Sequence, residues 1–225
     1  MIKKISYLLL VVFLYGCKNE SNKSNSSSSI NEKENWEGKF DFGEYGDGFY
    51  YNEMFNLKIN YDTTWNLQSR EELINIAGLG EKLIVGDDPK MKIIIEAGKI
   101  NVAYLFGMFK HEIGAAVDFN PSMLVLAENT KNAPGVKTGK DYLFHTKRLL
   151  KMSNLNADIK MDIGEKKIGS KTFATMQSEM MQLGVKIIQE YFFIVENKFA
   201  LGFILSYNDE SQRNELFEMM EKVEI

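Results

Sequence analysis

The stretch Val185-Lys186-Ile187-Ile188-Gln189-Glu190-Tyr191-Phe192-Phe193-Ile194-Val195-Glu196-Asn197-Lys198-Phe199-Ala200-Leu201-Gly202-Phe203-Ile204-Leu205-Ser206-Tyr207 reads as two long strands joined by a two-residue turn at Asn197-Lys198. Side chains alternate across a strand. Val185, Ile187, Tyr191, Phe193 and Val195 therefore share one side of the first strand, and Ile188, Phe192 and Ile194 share the other. A strand that is apolar on both sides must be covered on both sides. In the second strand Phe199, Leu201, Phe203 and Leu205 line one face, while Ala200, Gly202 and Ser206 leave the opposite face small enough for a helix to approach. The expected fold class is α+β, an antiparallel sheet covered by helices on both faces.

Working backwards from this pair, Phe173 to Met181 forms another strand, bounded by turns at Gly184 and Gly169-Ser170, and Ile159, Met161 and Ile163 alternate in the strand before it. The four strands make an antiparallel meander. Downstream, Asp209 caps a last helix whose buried stripe is Leu216, Phe217, Met220 and Val223. Met176 and Met180 also point to the core, where thioethers fill irregular gaps.

Upstream, Thr138-Gly139-Lys140-Asp141 has the form of a capping box, opening a helix whose inner face is Tyr142, Leu143, Thr146, Leu149, Leu150 and Ser153. Residues 102–109 and 123–127 are apolar runs of strand length. Leu73, Ile76, Ala77 and Gly80 fall at helical spacing within 71–86, and Pro89 suits the first turn of a second helix to about Ala97, although Ile93 to Ile95 would equally suit a strand. Tyr50 to Ile59 reads as one strand, with Phe55, Leu57 and Ile59 alternating with polar residues.

The first residues have the order of a secretion signal: basic Lys3-Lys4, an apolar run from Ile5 to Phe13 broken by Ser6, then Leu14-Tyr15-Gly16-Cys17. The run is about half of the ~20 residues a spanning helix needs. Leu14-Tyr15-Gly16-Cys17 resembles the bacterial lipobox, although Tyr15 stands where that pattern prefers a small residue. The resemblance implies thioether lipidation of Cys17 and cleavage before it. The expected organisation is residues 1–16 as a lipoprotein signal peptide, 17–48 as the lipidated Cys and a flexible Ser/Asn/Gly-rich tether, and 49–225 as a single globular domain. Cys17 is also the one cysteine, so no internal disulfide supports the fold. Losing Lys3 and Lys4 with the signal takes the formal charge from -4 to -6. No polybasic segment remains to attract anionic lipid, and nucleic acid is disfavoured as a partner.

Tyr51-Asn52, Phe55, Leu57 and Trp65, then Lys137-Thr138-Gly139-Lys140-Asp141-Tyr142, then the closing meander and helix resemble PsbP-like bacterial lipoproteins over residues 49–225. In place of the proline usual before the tryptophan stands Asp62-Thr63-Thr64. The resemblance implies a PsbP-type α/β/α sandwich and a non-enzymatic role, with no chlorophyll-related partner following from it.

Catalytic chemistry has few carriers. Gly135-Val136-Lys137-Thr138-Gly139-Lys140-Asp141 superficially resembles a phosphate loop, but it has three residues between its glycines where four are needed, and Asp141 stands where a magnesium-binding hydroxyl belongs. His111 and His145 are the two histidines, and neither belongs to a metal-ligand motif. Ser122, Ser153, Ser170 and Ser178 lack a nucleophile elbow. The expectation is no enzyme and no catalytic, metal or cofactor-binding residue, with Cys17 as the lipidation site. The chain then acts as a lipid-anchored binding or scaffolding protein of the cell envelope, outside the cytoplasmic membrane, with a protein or envelope polymer as partner. The competing expectation is an envelope hydrolase or small-ligand carrier whose site is assembled by tertiary contacts.

Overall fold

The computed structural model describes residues 40–99 and 101–225. Cys17, the signal segment and the tether up to residue 39 lie outside the described residues. The chain forms β1 (Glu44–Gly46), β2 (Phe49–Asn52), β3 (Leu57–Asn60), β4 (Asn66–Leu67), α1 (Arg70–Val85), α2 (Pro89–Lys99), β5 (Val102–Phe109), β6 (Ser122–Asn129), α3 (Gly139–Met152), β7 (Asp158–Ile168), β8 (Lys171–Gln182), β9 (Val185–Glu196), β10 (Phe199–Tyr207) and α4 (Glu210–Met220). Strands β1-β2-β3 form a small antiparallel sheet, and a seven-stranded sheet runs β4-β5-β6-β10-β9-β8-β7. Its pairings are antiparallel throughout.

Alternation divides the large sheet's side chains between two cores, as expected. Ile187, Tyr191 and Phe193 of β9 and Ala200 and Ile204 of β10 join Leu73, Ile76, Ala77 and Ile84 of α1, Met91 and Ile95 of α2, and Tyr142, Leu143, Leu149 and Leu150 of α3. Phe192 of β9 and Leu201, Phe203 and Leu205 of β10 join Tyr50, Leu57 and Ile59 of the small sheet and Leu216, Phe217, Met219 and Met220 of α4. The expected helical layers on both faces need correction here. The second layer is mixed, because α4 is only 11 residues long and the small sheet covers the rest of that face.

The chemistry of the helix starts is local and legible. Ser69 accepts from the Glu72 amide and Glu72 returns a bond to the Ser69 amide, and Thr138 and Asp141 do the same at α3. The α3 start is also pressed against the sheet: a Cβ on Gly139 would lie 2.0 Å from the Phe193 carbonyl oxygen. At Gly202 the small face admits a neighbouring ring instead of a helix. A Cβ there would lie 2.1 Å from the Phe193 ring, which stacks on Tyr142 at 4.3 Å and 17°.

Three expectations at the edges are revised. The strand expected over 50–59 is a hairpin, because Asn56 takes a left-handed φ of 48° and Asn52 Oδ1 accepts from the Phe55 amide between β2 and β3. Met161 is exposed, since register shifts on either side of it break the alternation of Ile159 and Ile163. The domain also reaches further back than residue 49. Phe40 and Phe42 pack on the second core, Phe40 meets the Phe199 ring at 5.4 Å, and the Arg70 guanidinium lies 3.8 Å from the Phe42 ring centroid. The Asp41 carboxylate accepts from the Gly43, Glu53 and Met54 amides, tying this entry segment to the β2–β3 turn.

Candidate binding surfaces

The residues weighed for chemistry are dispersed. His111 follows β5, where its backbone pairs reciprocally with the Asn120 side chain at 2.9 and 2.7 Å, whereas His145 lies on α3 edge-on to Phe144. Ser153 and Ser170 donate to main-chain carbonyls of Leu150 and Ile225, Ser178 pairs with Tyr191, and Ser122 is buried in β6. The Asp141 carboxylate accepts from the Lys137 and Thr138 amides at 3.1 and 2.9 Å, filling the position a phosphate would need. Among the described residues no group of three or more His, Cys, Asp or Glu is arranged to hold a metal ion. No helix among them is long and apolar enough to cross a membrane.

Sequence reading missed three buried polar clusters, because their members come from different strands and helices. On the three-helix face Tyr142 donates to the Glu128 carboxylate at 2.7 Å, with both residues buried. Burial, reinforced by that carboxylate, holds the Tyr142 phenol far above its ordinary pKa. A second chain runs from Ser206 through Gln189 to Tyr191 and Ser178, with the Gln189 amide donating to Ser206 at 2.9 Å and Tyr191 donating to Gln189 Oε1 at 2.7 Å. On the opposite face Glu190 Oε1 accepts from Tyr207 at 2.5 Å, Arg213 Nε at 2.9 Å and Gln177 Nε2 at 3.4 Å. Arg213 and Lys166 also lie 4.2 and 4.1 Å from the Phe217 ring centroid. These bonds couple α4 to β9 and β10 and satisfy groups that would be costly to bury unpaired.

Two surface features lie at opposite ends of β9, about 40 Å apart for a strand of this length. At one end is the β8–β9 turn, Leu183-Gly184, where Gln182 pairs with Val185 and both turn residues have positive φ, 52° and 82°. Leu183 is 79% exposed and Met181 beside it 60%. At the other end a recess of about 440 Å³ lies between the loop after β6 and the β9–β10 turn, lined by Thr130, Lys131, Ala133, Pro134, Val136, Lys137, Val195, Glu196, Asn197 and Lys198. Its walls are tied together: the Thr130 amide and hydroxyl both donate to the Lys198 carbonyl, at 2.8 and 2.9 Å.

No family model matches the chain, and no curated protein matches it. Among solved structures it is similar to PA94 of Pseudomonas aeruginosa, a protein of unknown function described as a putative regulator, at 12% identity and TM-score 0.38 over 54% of this chain and 79% of that one. A Bacteroides thetaiotaomicron VPI-5482 protein is 12% identical at TM-score 0.39 over 75% of this chain, which spans 44% of that protein. LpqN of Mycobacterium tuberculosis, involved in cell envelope biogenesis, is 9% identical at TM-score 0.35 over 55% of this chain and 78% of that one. Likenesses this distant assign no activity.

Proposed function

We propose that the chain is a lipid-anchored, non-catalytic binding or scaffolding domain of the bacterial cell envelope, held outside the cytoplasmic membrane through Cys17, with the β8–β9 hairpin as its contact to a protein or envelope-polymer partner. The PsbP-like resemblance over residues 49–225 belongs to the same reading. Its anchoring half rests on the order of residues 1–17. Its non-catalytic half is supported by the buried polar clusters, whose hydrogen bonds join helices and strands to one another.

The observation that carries the binding half is Leu183. A two-residue turn with both φ values positive is the natural place for Asn-Gly, and a branched apolar residue there is strained by about 1–2 kcal/mol. The side chain recovers nothing by packing, since it is 79% exposed. A residue that costs stability and is largely exposed supports a contact outside its own fold.

Two substitutions test the halves separately. Cys17→Ser is expected to abolish acylation and move the protein from the membrane fraction to the soluble or secreted one; unchanged membrane partitioning without an acyl chain refutes the anchor. Leu183→Gly is expected to leave the fold as stable or about 1 kcal/mol more so, while site-specific crosslinking from the hairpin in intact cells falls several-fold. A clear loss of stability with crosslinking unchanged would show that the side chain serves the fold.

A further inference from the structure

The outer face of the small sheet carries aromatic rings where a water-facing strand ordinarily carries polar residues. Alternation along β2 buries Tyr50 and Asn52 and turns Phe49 and Tyr51 outward, 36% and 39% exposed. Cross-strand register sets each ring in a row. Tyr51 lies between Glu44 of β1 and Lys58 of β3, and Lys58 is bridged in turn to Glu224. Phe49 lies between Gly46 and Asn60, and a Cβ on Gly46 would come within 2.2 Å of its ring.

The charge around these rings is one-sided. Residues 40–62 hold Asp41, Glu44, Asp47, Glu53 and Asp62 against Lys58, a formal balance of -4, equal to that of the whole chain. Asp41 is engaged by main-chain amides and Asp62 by Thr64. Glu44, Asp47 and Glu53 are exposed, and their carboxylates have no hydrogen-bond or ion-pair partner among the described residues. The neighbouring bases are matched already: Lys58 Nζ lies 3.2 Å from Glu224, the Lys222 charge acts on Asp62, and Arg70 lies on the Phe42 ring.

Charge selects the occupant. Aromatic faces attract cations, and Lys58 Nζ already stands 5.8 Å from the Phe49 ring centroid. Open rings bordered by unmatched carboxylates suit a guanidinium or ammonium group, which can stack on Tyr51 while pairing with Glu44. The same carboxylates repel phosphate, which disfavours anionic lipid and nucleic acid. We propose that the outward face of the β1–β2–β3 sheet, with Phe49 and Tyr51 at its centre and Glu44, Asp47 and Glu53 around them, docks a Lys- or Arg-rich segment of a partner protein. Neither Cys17 nor Leu183 takes part, so this surface is a second contact beside the β8–β9 hairpin.

The test titrates the full chain with heptaarginine, and with heptaglutamate as control, and follows amide hydrogen exchange. Segment 44–60 is expected to exchange more slowly with heptaarginine only. The effect should disappear near 1 M salt, where the screening length is about 3 Å. Tyr51→Ser and Glu44→Gln should each weaken binding about two- to five-fold, whereas Tyr51→Phe, which keeps the ring, should leave it unchanged. Tyr51→Ser does not alter the charge, so unchanged binding in that variant would reduce the effect to attraction between net charges and overturns the proposal. So does the absence of protection, protection that maps outside 44–60, or protection that persists at 1 M salt. Equal protection by cellotetraose would assign the face to a glycan, and self-association removed by Tyr51→Ser would assign it to a second copy; either result also overturns the proposal. Crosslinking from the β8–β9 hairpin reads the other contact, so each can fail without the other.

Discussion

Phe193→Ala is expected to destabilise the domain by about 3–5 kcal/mol, the cost of removing a buried aromatic side chain whose surroundings cannot close over the void. Against the ~5–15 kcal/mol that holds typical domains together, this removes a large fraction of the stability. The ring is 2% exposed, lies over Gly202 on the neighbouring strand and stacks on Tyr142 of α3. Gly202 has no side chain with which to fill the space, and Gly139 already brings the α3 start against the Phe193 carbonyl. Denaturant unfolding of single and double variants gives a sharper check. Gly202→Ala alone should destabilise, because its Cβ would lie 2.1 Å from the ring. In the Phe193→Ala background the same substitution should stabilise, by partly refilling the hole. Additive effects of the two changes, or a loss below about 1.5 kcal/mol for Phe193→Ala, would contradict this account.

The same pair of residues shows what a sequence can and cannot disclose. The two long strands and their turn were legible because period-two alternation and Asn197-Lys198 are local signals, and the observed bounds of β9 and β10 coincide with them. Both capping boxes are equally local, Ser69 with Glu72 and Thr138 with Asp141. That Gly202 leaves space was also visible; that the neighbouring Phe193 fills it was not, because the choice between a ring and a helix is made by cross-strand register, Gly202 opposite Phe193. The alternation over 50–59 points to one strand and not to the observed hairpin because Asn56 and the distant Asp41 carboxylate, which turn the chain there, carry no periodic signal. Composition places Phe40 and Phe42 in the tether, because it is blind to three aromatic and cationic partners, Phe199, Tyr50 and Arg70, supplied from elsewhere. The candidate surfaces follow the same rule. Cys17 is a local motif and could be named directly, whereas the strained Leu183 acquires meaning only from the turn that presents it.

Steep alkaline unfolding is the second large effect expected. Tyr50, Tyr142, Tyr191 and Tyr207 are each at most 2% exposed. Their hydroxyls donate to the Phe42 carbonyl, the Glu128 carboxylate, Gln189 Oε1 and the Glu190 carboxylate respectively. Burial is the principal cause that raises all four phenols, with the facing carboxylates adding to it at Tyr142 and Tyr207. A phenol raised in the folded state keeps its proton at pH values where the unfolded chain, with an ordinary pKa near 10, has lost it. The stabilisation is therefore fully present below about pH 10 and is lost as pH rises beyond it, at about 1.4 kcal/mol per pH unit for each group. Four such groups remove roughly 5 kcal/mol by about pH 11, comparable to the whole stability of a marginal domain. Urea unfolding midpoints should stay level from mildly alkaline pH to just below 10 and then fall sharply, and Tyr191→Phe should reduce the slope by about a quarter. Phenolate absorbance supplies the decisive reading: the signal of these four should appear together with unfolding. If these four titrate smoothly near pH 10 while the fold persists, their hydroxyls are not held protonated by their surroundings.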